Sequence, residues 1–167
     1  MIVVDTNVIA YLFLRGALAV QAEEWLRKDR EWVAPALWRS EFRNLLAGYL
    51  RRKQLTFEGM REIQREAEAL LIANEHEVDS QRVLELVRDS DCSAYDCEFV
   101  SVAMRLGVKL LTADKKVLKA FPKHTVAFSE AYRRAKRAPT AGRQAWAGEN
   151  VPRTARPGLV ACRWRSA

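Results

Sequence analysis

An α/β fold, a three-layer sandwich with a central parallel sheet flanked by helices, is predicted by three features of this 167-residue sequence. A continuous apolar run at Ile2 to Val4 reads as a buried strand, and Trp32 to Ala34 and Val108 to Thr112 read as further strands. Stretches with a helical apolar period lie between them. Strands joined through helices rather than tight turns run parallel and carry their helices on the sheet faces.

In order, Met1 to Val4 is the first strand, followed by a short helix from about Asn7 to Leu14 that breaks at Arg15-Gly16. Residues 18–29 form a second helix with Val20, Trp25 and Leu26 among its apolar positions, and Trp32 to Ala34 is the second strand. Pro35 precedes a long helix over about 36–53, its apolar arc centred on Trp38, Phe42, Leu45 and Tyr49. Thr56 caps the next helix, which runs through Ala73 with Met60, Ile63, Ala67, Leu70 and Leu71 on one side. A brief strand falls near 75–78, and Ser80 to Arg88 is amphipathic through Val83, Leu84, Leu86 and Val87. Asp91 and Ser93 offer N-caps for a helix over 94–106, closed by Gly107. After the strand 108–112, Asp114 opens a short helix ending at Phe121-Pro122, and Thr125 to Phe128 is a last strand. Beyond about Ala138 the pattern gives way to Pro, Gly and Arg, which predicts a flexible tail carrying Trp146 and Trp164. The chain therefore divides into a domain over 1–132 and a basic C-terminal tail over 133–167.

This length suits one domain with a core. Hydrophobic residues at 49% and charged residues at 29% exclude wholesale disorder. No apolar run approaches the ~18 residues of a membrane span. Asp5 interrupts the N-terminal apolar stretch too soon for a signal peptide, so the cytoplasm is the expected compartment. Cys92, Cys97 and Cys162 make no C-x-x-C pair, and His76 and His124 stand far apart. A metal would thus sit on carboxylates, which favours Mg²⁺ or Mn²⁺ over zinc. From Arg133 onward nine Lys/Arg oppose one acid, leaving 19 of the 28 basic and 20 of the 21 acidic residues in 1–132. The net charge of +7 is thus a property of the tail. Basic tails contact polyanions or merely solubilise, and basicity alone decides nothing here.

Four carboxylates carry the functional argument. Asp5 directly follows the first strand, at the sheet edge where open α/β folds bind ligands. Its ordinary explanation is a helix N-cap. Asp114 stands in the same position after the strand ending at Thr112, and the recurrence, with Thr6, Asn7 and Thr112 close by, shifts the balance toward a site. Glu41 lies at the edge of the apolar arc of its helix, four residues from Leu37 and from Leu45. A carboxylate there is costly unless paired, protonated or metal-bound, and Arg39 or Arg43 is the ordinary partner. Asp96 projects into an apolar face of Tyr95, Phe99, Val102, Ala103 and Leu106, whereas Glu98 falls with Ser101 and Arg105 on the polar face. The ordinary role of Asp96 is the third-position acid of a capping box begun by Ser93. Four acids meeting at one sheet edge repel one another unless a cation neutralises them. An oxygen-lined divalent site suits phosphoester hydrolysis.

The opening I-V-V-D-T-N at 2–7, S-E-F at 40–42, S-A-Y-D at 93–96 and L-L-T-A-D-K-K-V-L at 110–118 resemble the PIN domain, in particular the VapC-type ribonuclease toxins of bacterial toxin–antitoxin pairs. The resemblance covers about residues 1–130, in order. It implies that Asp5, Glu41, Asp96 and Asp114 form the family's acidic quartet, with Asn7 and Thr112 as supporting polar residues. It also implies a Mg²⁺ or Mn²⁺ cofactor, an RNA substrate in single strands or loops, a small antitoxin protein that occupies the site, and a homodimer. Asp91, an extra acid near the quartet, and the tail depart from the family pattern.

On this reading Asp5, Asp96 and Asp114 hold one or two divalent ions, and Glu41 is a further ligand or the base that orients water. In-line attack on RNA then leaves a 5′-phosphate and a 3′-hydroxyl. Lys115 and Lys116 either steer the phosphate backbone or form a solvated pair. The rival from another class is a non-catalytic RNA-binding or regulatory module of the same fold. A metal phosphatase is a third reading, although Asp5 begins D-T-N rather than D-x-D-x-T. No Walker loop or G-x-G-x-x-G is present.

Overall fold

The computed structural model describes residues 1–129 apart from Arg15, so the predicted tail over 133–167, with Trp146 and Trp164, lies outside the described residues. The first repeat is β1 (Ile2–Val4), α1 (Thr6–Phe13) and α2 (Ala19–Lys28). A second follows as β2 (Trp32–Pro35), α3 (Trp38–Arg51) and α4 (Phe57–Leu71). The third is β3 (Glu75–His76), α5 (Ser80–Arg88) and α6 (Ala94–Leu106), and β4 (Leu110–Thr112), α7 (Lys115–Ala120) and β5 (Thr125–Ala127) complete the order. All pairings are parallel, in one five-stranded sheet ordered β3-β2-β1-β4-β5. The predicted α/β sandwich is the observed fold.

From β1 the chain adds β2 and β3 on one side, then returns to place β4 on the other. Right-handed crossovers therefore set α1–α4 and α5–α7 on opposite faces of the sheet. The direction of winding reverses between β1 and β4, and an open sheet leaves a crevice at the carboxyl ends of two such strands. Val3 pairs with Leu110 and Val4 with Leu111, and the Asp5 amide donates to the Leu111 carbonyl at 3.1 Å.

β1, β2 and β4 are buried throughout, as continuous apolar runs require. Trp32, Trp38 and Phe42 are fully enclosed and Trp25 nearly so, which places three tryptophans in the core. α6 packs against β1, β2, β4 and α5, leaving it little free surface. Three positions expected on apolar faces are instead exposed: Val20, Leu84 and Tyr95. Their helices bury neighbouring stripes, through Gln21, Ala22 and Trp25 in α2, Val83 and Leu86 in α5, and Cys97 in the first turn of α6. Gln21 is the surprise: its side-chain amide and the Trp25 indole N–H both donate to the Phe128 carbonyl, tying α2 to the end of β5.

Thr56 caps α4 as expected, its hydroxyl accepting from the Gly59 amide at 3.1 Å. Gly107 ends α6 in the left-handed conformation, with φ +66°, and a Cβ there would meet no other atom within 4 Å. Replacing it therefore tests the backbone alone. Gly107→Ala is expected to lose about 1–2 kcal/mol of stability in urea denaturation, and Gly107→Asn distinctly less, because Asn tolerates this conformation.

Candidate active site

What the crevice contains is decided by the residues that leave β1 and β4. All six predicted side chains, Asp5, Asn7, Glu41, Asp96, Thr112 and Asp114, line one cavity of about 240 Å³ at this edge. Thr6 and Asn44 join them, with Phe99 and Val117 among the apolar walls. Asn44, which the sequence reading omitted, stands three residues from Glu41 on the same face of α3, and that spacing is the signal that would have found it.

Each aspartate also fills the ordinary role open to it. One oxygen of Asp5 accepts from the Asn7 amide at 3.0 Å and caps α1. Asp96 and Ser93 make a complete capping box at the start of α6, with Asp96 accepting from the Ser93 amide at 3.1 Å and its hydroxyl at 2.7 Å. Asp114 accepts from the Lys116 amide at 2.6 Å and the Val117 amide at 3.2 Å, capping α7. Capping and cleft-lining are therefore compatible. At Asp96 and Asp114 the cap engages one carboxylate oxygen, fixes the rotamer and leaves the other oxygen for the cavity. Asn7 contributes its backbone amide more than its side chain, whose nitrogen is 3.5 Å from Asp5.

Two threonines set the remaining geometry. Thr112, fully buried, donates to the second oxygen of Asp5 at 2.6 Å and accepts from the Asp114 amide at 3.0 Å, so one hydroxyl couples both strand-end acids. Thr6 is also buried and donates to Glu41 at 2.6 Å. The expected arginine partners of Glu41 are engaged elsewhere: Arg39 pairs with Glu68 and Glu75, at 2.7 and 2.6 Å, and Arg43 reaches Ser40. Thr6 rather than an arginine holds this carboxylate.

No ion pair among the described residues involves any of the four acids. Burial pushes the Asp5 carboxyl above its ordinary range; the Thr112 and Asn7 hydrogen bonds oppose the shift, and the charges of Asp96 and Asp114 add to it. Burial likewise raises Glu41, against its bond from Thr6 and with the help of Asp5, Asp96 and Glu98. Glu98 corrects the sequence reading. It is half-buried, its carboxyl pushed up by burial, and Ser101, its expected companion on the polar face, is buried too. The cause is the packing of α6 against both the sheet and α5. Asp91 is exposed and does not line the cavity, and Lys115 and Lys116 are exposed at the start of α7.

The donor set consists of hard, anionic oxygens, and at Asp5 and Glu41 burial and neighbouring charge oppose ionisation, which is what a hard divalent cation relieves. Among the described residues no three His, Cys, Asp or Glu side chains converge into a closed metal shell. The acids ring the cavity instead, a spacing that suits an ion held by one or two carboxylates with water completing its shell.

A parallel sheet with carboxylates gathered where its winding reverses defines an open α/β protein with an acidic cleft, and the family comparison is specific. The PIN domain profile matches residues 2–123, and the chain belongs to the PIN domain family. No curated protein matches it by sequence. Among solved structures it is similar to PAE2754 from Pyrobaculum aerophilum, with TM-score 0.63 and 18% identity, over 80% of this chain and 95% of that one. It is also similar to FitAcB from Neisseria gonorrhoeae, with TM-score 0.61 and 17% identity, over 77% of this chain and 97% of that one. A chain of a toxin–antitoxin complex from Klebsiella pneumoniae matches with TM-score 0.59 and 18% identity, over 78% of this chain and 99% of that one.

The raised carboxyls make a stability prediction. A group that binds its proton more tightly when folded favours folding below the range of its unfolded form, and that contribution is lost as pH rises through its folded pKa. Glu41→Gln keeps an oxygen for Thr6 and removes the charge. In chelator at pH 7 the variant is expected to be more stable than wild type by about 0.5–2 kcal/mol. The difference in thermal midpoint should be absent below about pH 4 and open as pH rises, because wild type alone acquires the charge.

Proposed function

We propose that this chain is a Mg²⁺- or Mn²⁺-dependent endoribonuclease hydrolysing RNA phosphodiester bonds in the acidic cleft, and that it is the toxin of a toxin–antitoxin pair. The observation that carries the catalytic reading is four carboxylates gathered in one crevice without a cationic partner among the described residues. In this reading Asp5, Asp96 and Asp114 hold one or two divalent ions, each ion bound directly by one or two carboxylates with water completing its shell. Glu41 is a further ligand or the base that orients and deprotonates the attacking water. When bound, the cation supplies Lewis acidity toward a phosphate oxygen and lowers the pKa of water in the cleft.

The chain's own residues do the positioning. Thr112 keeps Asp5 and Asp114 in one geometry, and Thr6 restrains Glu41 through one oxygen while the other is available for water. Capping holds Asp96 at the rim of α6. Water attacks phosphorus as the bond to the 3′-oxygen breaks, leaving a 5′-phosphate and a 3′-hydroxyl; Glu41 receives the water's proton, and the departing oxygen is protonated from solvent. The toxin reading is supported by the fold shared with a chain of the Klebsiella toxin–antitoxin complex. A small antitoxin covering the cleft, a homodimer and a cytoplasmic location complete it, with the nuclease in 1–132 and the basic segment 133–167 as an appendage. No helix among the described residues is long and apolar enough to cross a membrane.

End-labelled RNA incubated with Mn²⁺ or Mg²⁺ tests the reading. Wild type is expected to cut, EDTA to stop it, and Asp5→Asn to slow it by at least about 100-fold, with products bearing 5′-phosphates. Ends carrying 2′,3′-cyclic phosphate would overturn the hydrolytic mechanism. Binding without cutting, across structured and unstructured RNAs, would favour the non-catalytic RNA-binding module.

A further inference from the structure

A second cavity of about 240 Å³ opens beside the acidic cleft, between α1, the turn that follows it, and α3. Its walls are of another kind. Ala10, Leu14, Leu18 and Leu45 make it apolar, and Tyr11 and Tyr49 bring aromatic rings that carry hydroxyls. Asn7 and Leu45 line both cavities, so the two are neighbours. Tyr11 is backed by Phe128, their centroids 5.2 Å apart, and the Arg52 guanidinium stacks 4.8 Å from the Tyr49 ring. Burial raises the Tyr11 phenol, with the charge of Asp5 and then Tyr49 adding to the effect, consistent with their proximity.

A flat ring with apolar faces and a polar edge matches these walls. Aromatic and aliphatic surfaces take the faces of a nucleobase, and phenol hydroxyls can donate to or accept from its edge. The compact shape suits one ring better than the apolar side of a helix, which needs a long groove. Charge is also complementary: Arg52 places a cation beside Tyr49, and cations beside stacking rings are what single-strand grooves use to hold a phosphate backbone.

We infer that this pocket is a nucleobase subsite, holding one unpaired base of the RNA strand whose phosphate lies at Asp5 and Asp114, with Tyr11, Tyr49 and Leu45 as its contacts. The inference rests on the nuclease reading only for the placement of that phosphate. It makes the enzyme a reader of the nucleotide beside the cut, and it bars duplex RNA, in which that base is stacked and paired.

The test is equilibrium binding by fluorescence anisotropy. Glu41→Gln protein serves as background so that cutting does not consume the probes. These are the four labelled RNA homopentamers and a pentamer of stable abasic residues with the same charge. At least one homopentamer is expected to bind about tenfold or more tightly than the abasic strand, the range of base–aromatic stacking. Tyr49→Ala should remove most of that advantage. Ala10→Met, which fills the pocket from its floor and keeps both rings, should do the same, while Tyr49→Phe keeps most of it and shows that the fold is intact. In each variant the abasic strand should bind as before. Equal binding of all five strands would overturn the subsite, as would an advantage that survives both Tyr49→Ala and Ala10→Met. Loss of self-association in those variants with RNA binding unchanged would also overturn it, assigning the pocket to a second copy of the chain. Base-dependent binding that needs Tyr49, in a wild type that cuts no RNA with Mn²⁺, would sink the nuclease reading and leave the subsite standing.

Discussion

The parallel pairing of β1 with β4 governs the rest of this molecule, because β1 is the strand to which every part of the cleft is referred. Just past its end the Asp5 amide bonds to the Leu111 carbonyl, and the Asp5 side chain is held by Thr112 from the neighbouring strand. α6 packs across β1 and β4 and carries Asp96 to the same edge, while α3 packs on α1 and brings Glu41 to Thr6. Four acids from four elements thus meet because one central strand serves as common reference. A sheet wound in a single direction would have no crevice there for them to enter.

Gathering like charges in a folded protein needs compensation, and the neighbouring backbone supplies part of it. Asp5 and Asp96 lie at the amino ends of α1 and α6, where unsatisfied amides and the aligned peptide dipoles favour negative charge. The threonine hydroxyls add one donor each. These terms oppose the shifts at Asp5 and Glu41 without cancelling them, since burial outweighs the hydrogen bonds in both. The fold therefore tolerates its acids at some cost, which locates the strain at the place where the chemistry is proposed.

Much of this was legible in the chain because strand ends are written locally. An apolar run that stops at an aspartate shows both the strand and the acid at its edge, and this happens twice. The competing explanation by capping was legible as well; what a linear reading does not convey is that the same carboxylate can cap a helix and line the cleft. Tertiary neighbours were less accessible. Nothing near Glu41 announces that Thr6, thirty-five residues away, replaces the arginines beside it. The helical period assigned Glu98 and Ser101 to solvent because it contains no information about the sheet and α5, against which α6 packs. Val20, Leu84 and Tyr95 err in the opposite sense: each is apolar, yet in a short helix one turn of packing decides which stripe is buried, and a neighbouring stripe was taken.

The separation of β1 from β4 along the chain has a consequence for biosynthesis. Asp5 leaves the ribosome more than a hundred residues ahead of Thr112 and Asp114, which complete its surroundings. Until that last central strand slots in beside the first, the nascent polypeptide has a half-built sheet and scattered acids, with no cleft. On the proposed reading, a chain that cuts RNA is made in the midst of RNA, on a machine built of it. A topology that closes the cleft last would then keep the unfinished chain inactive while it is being made.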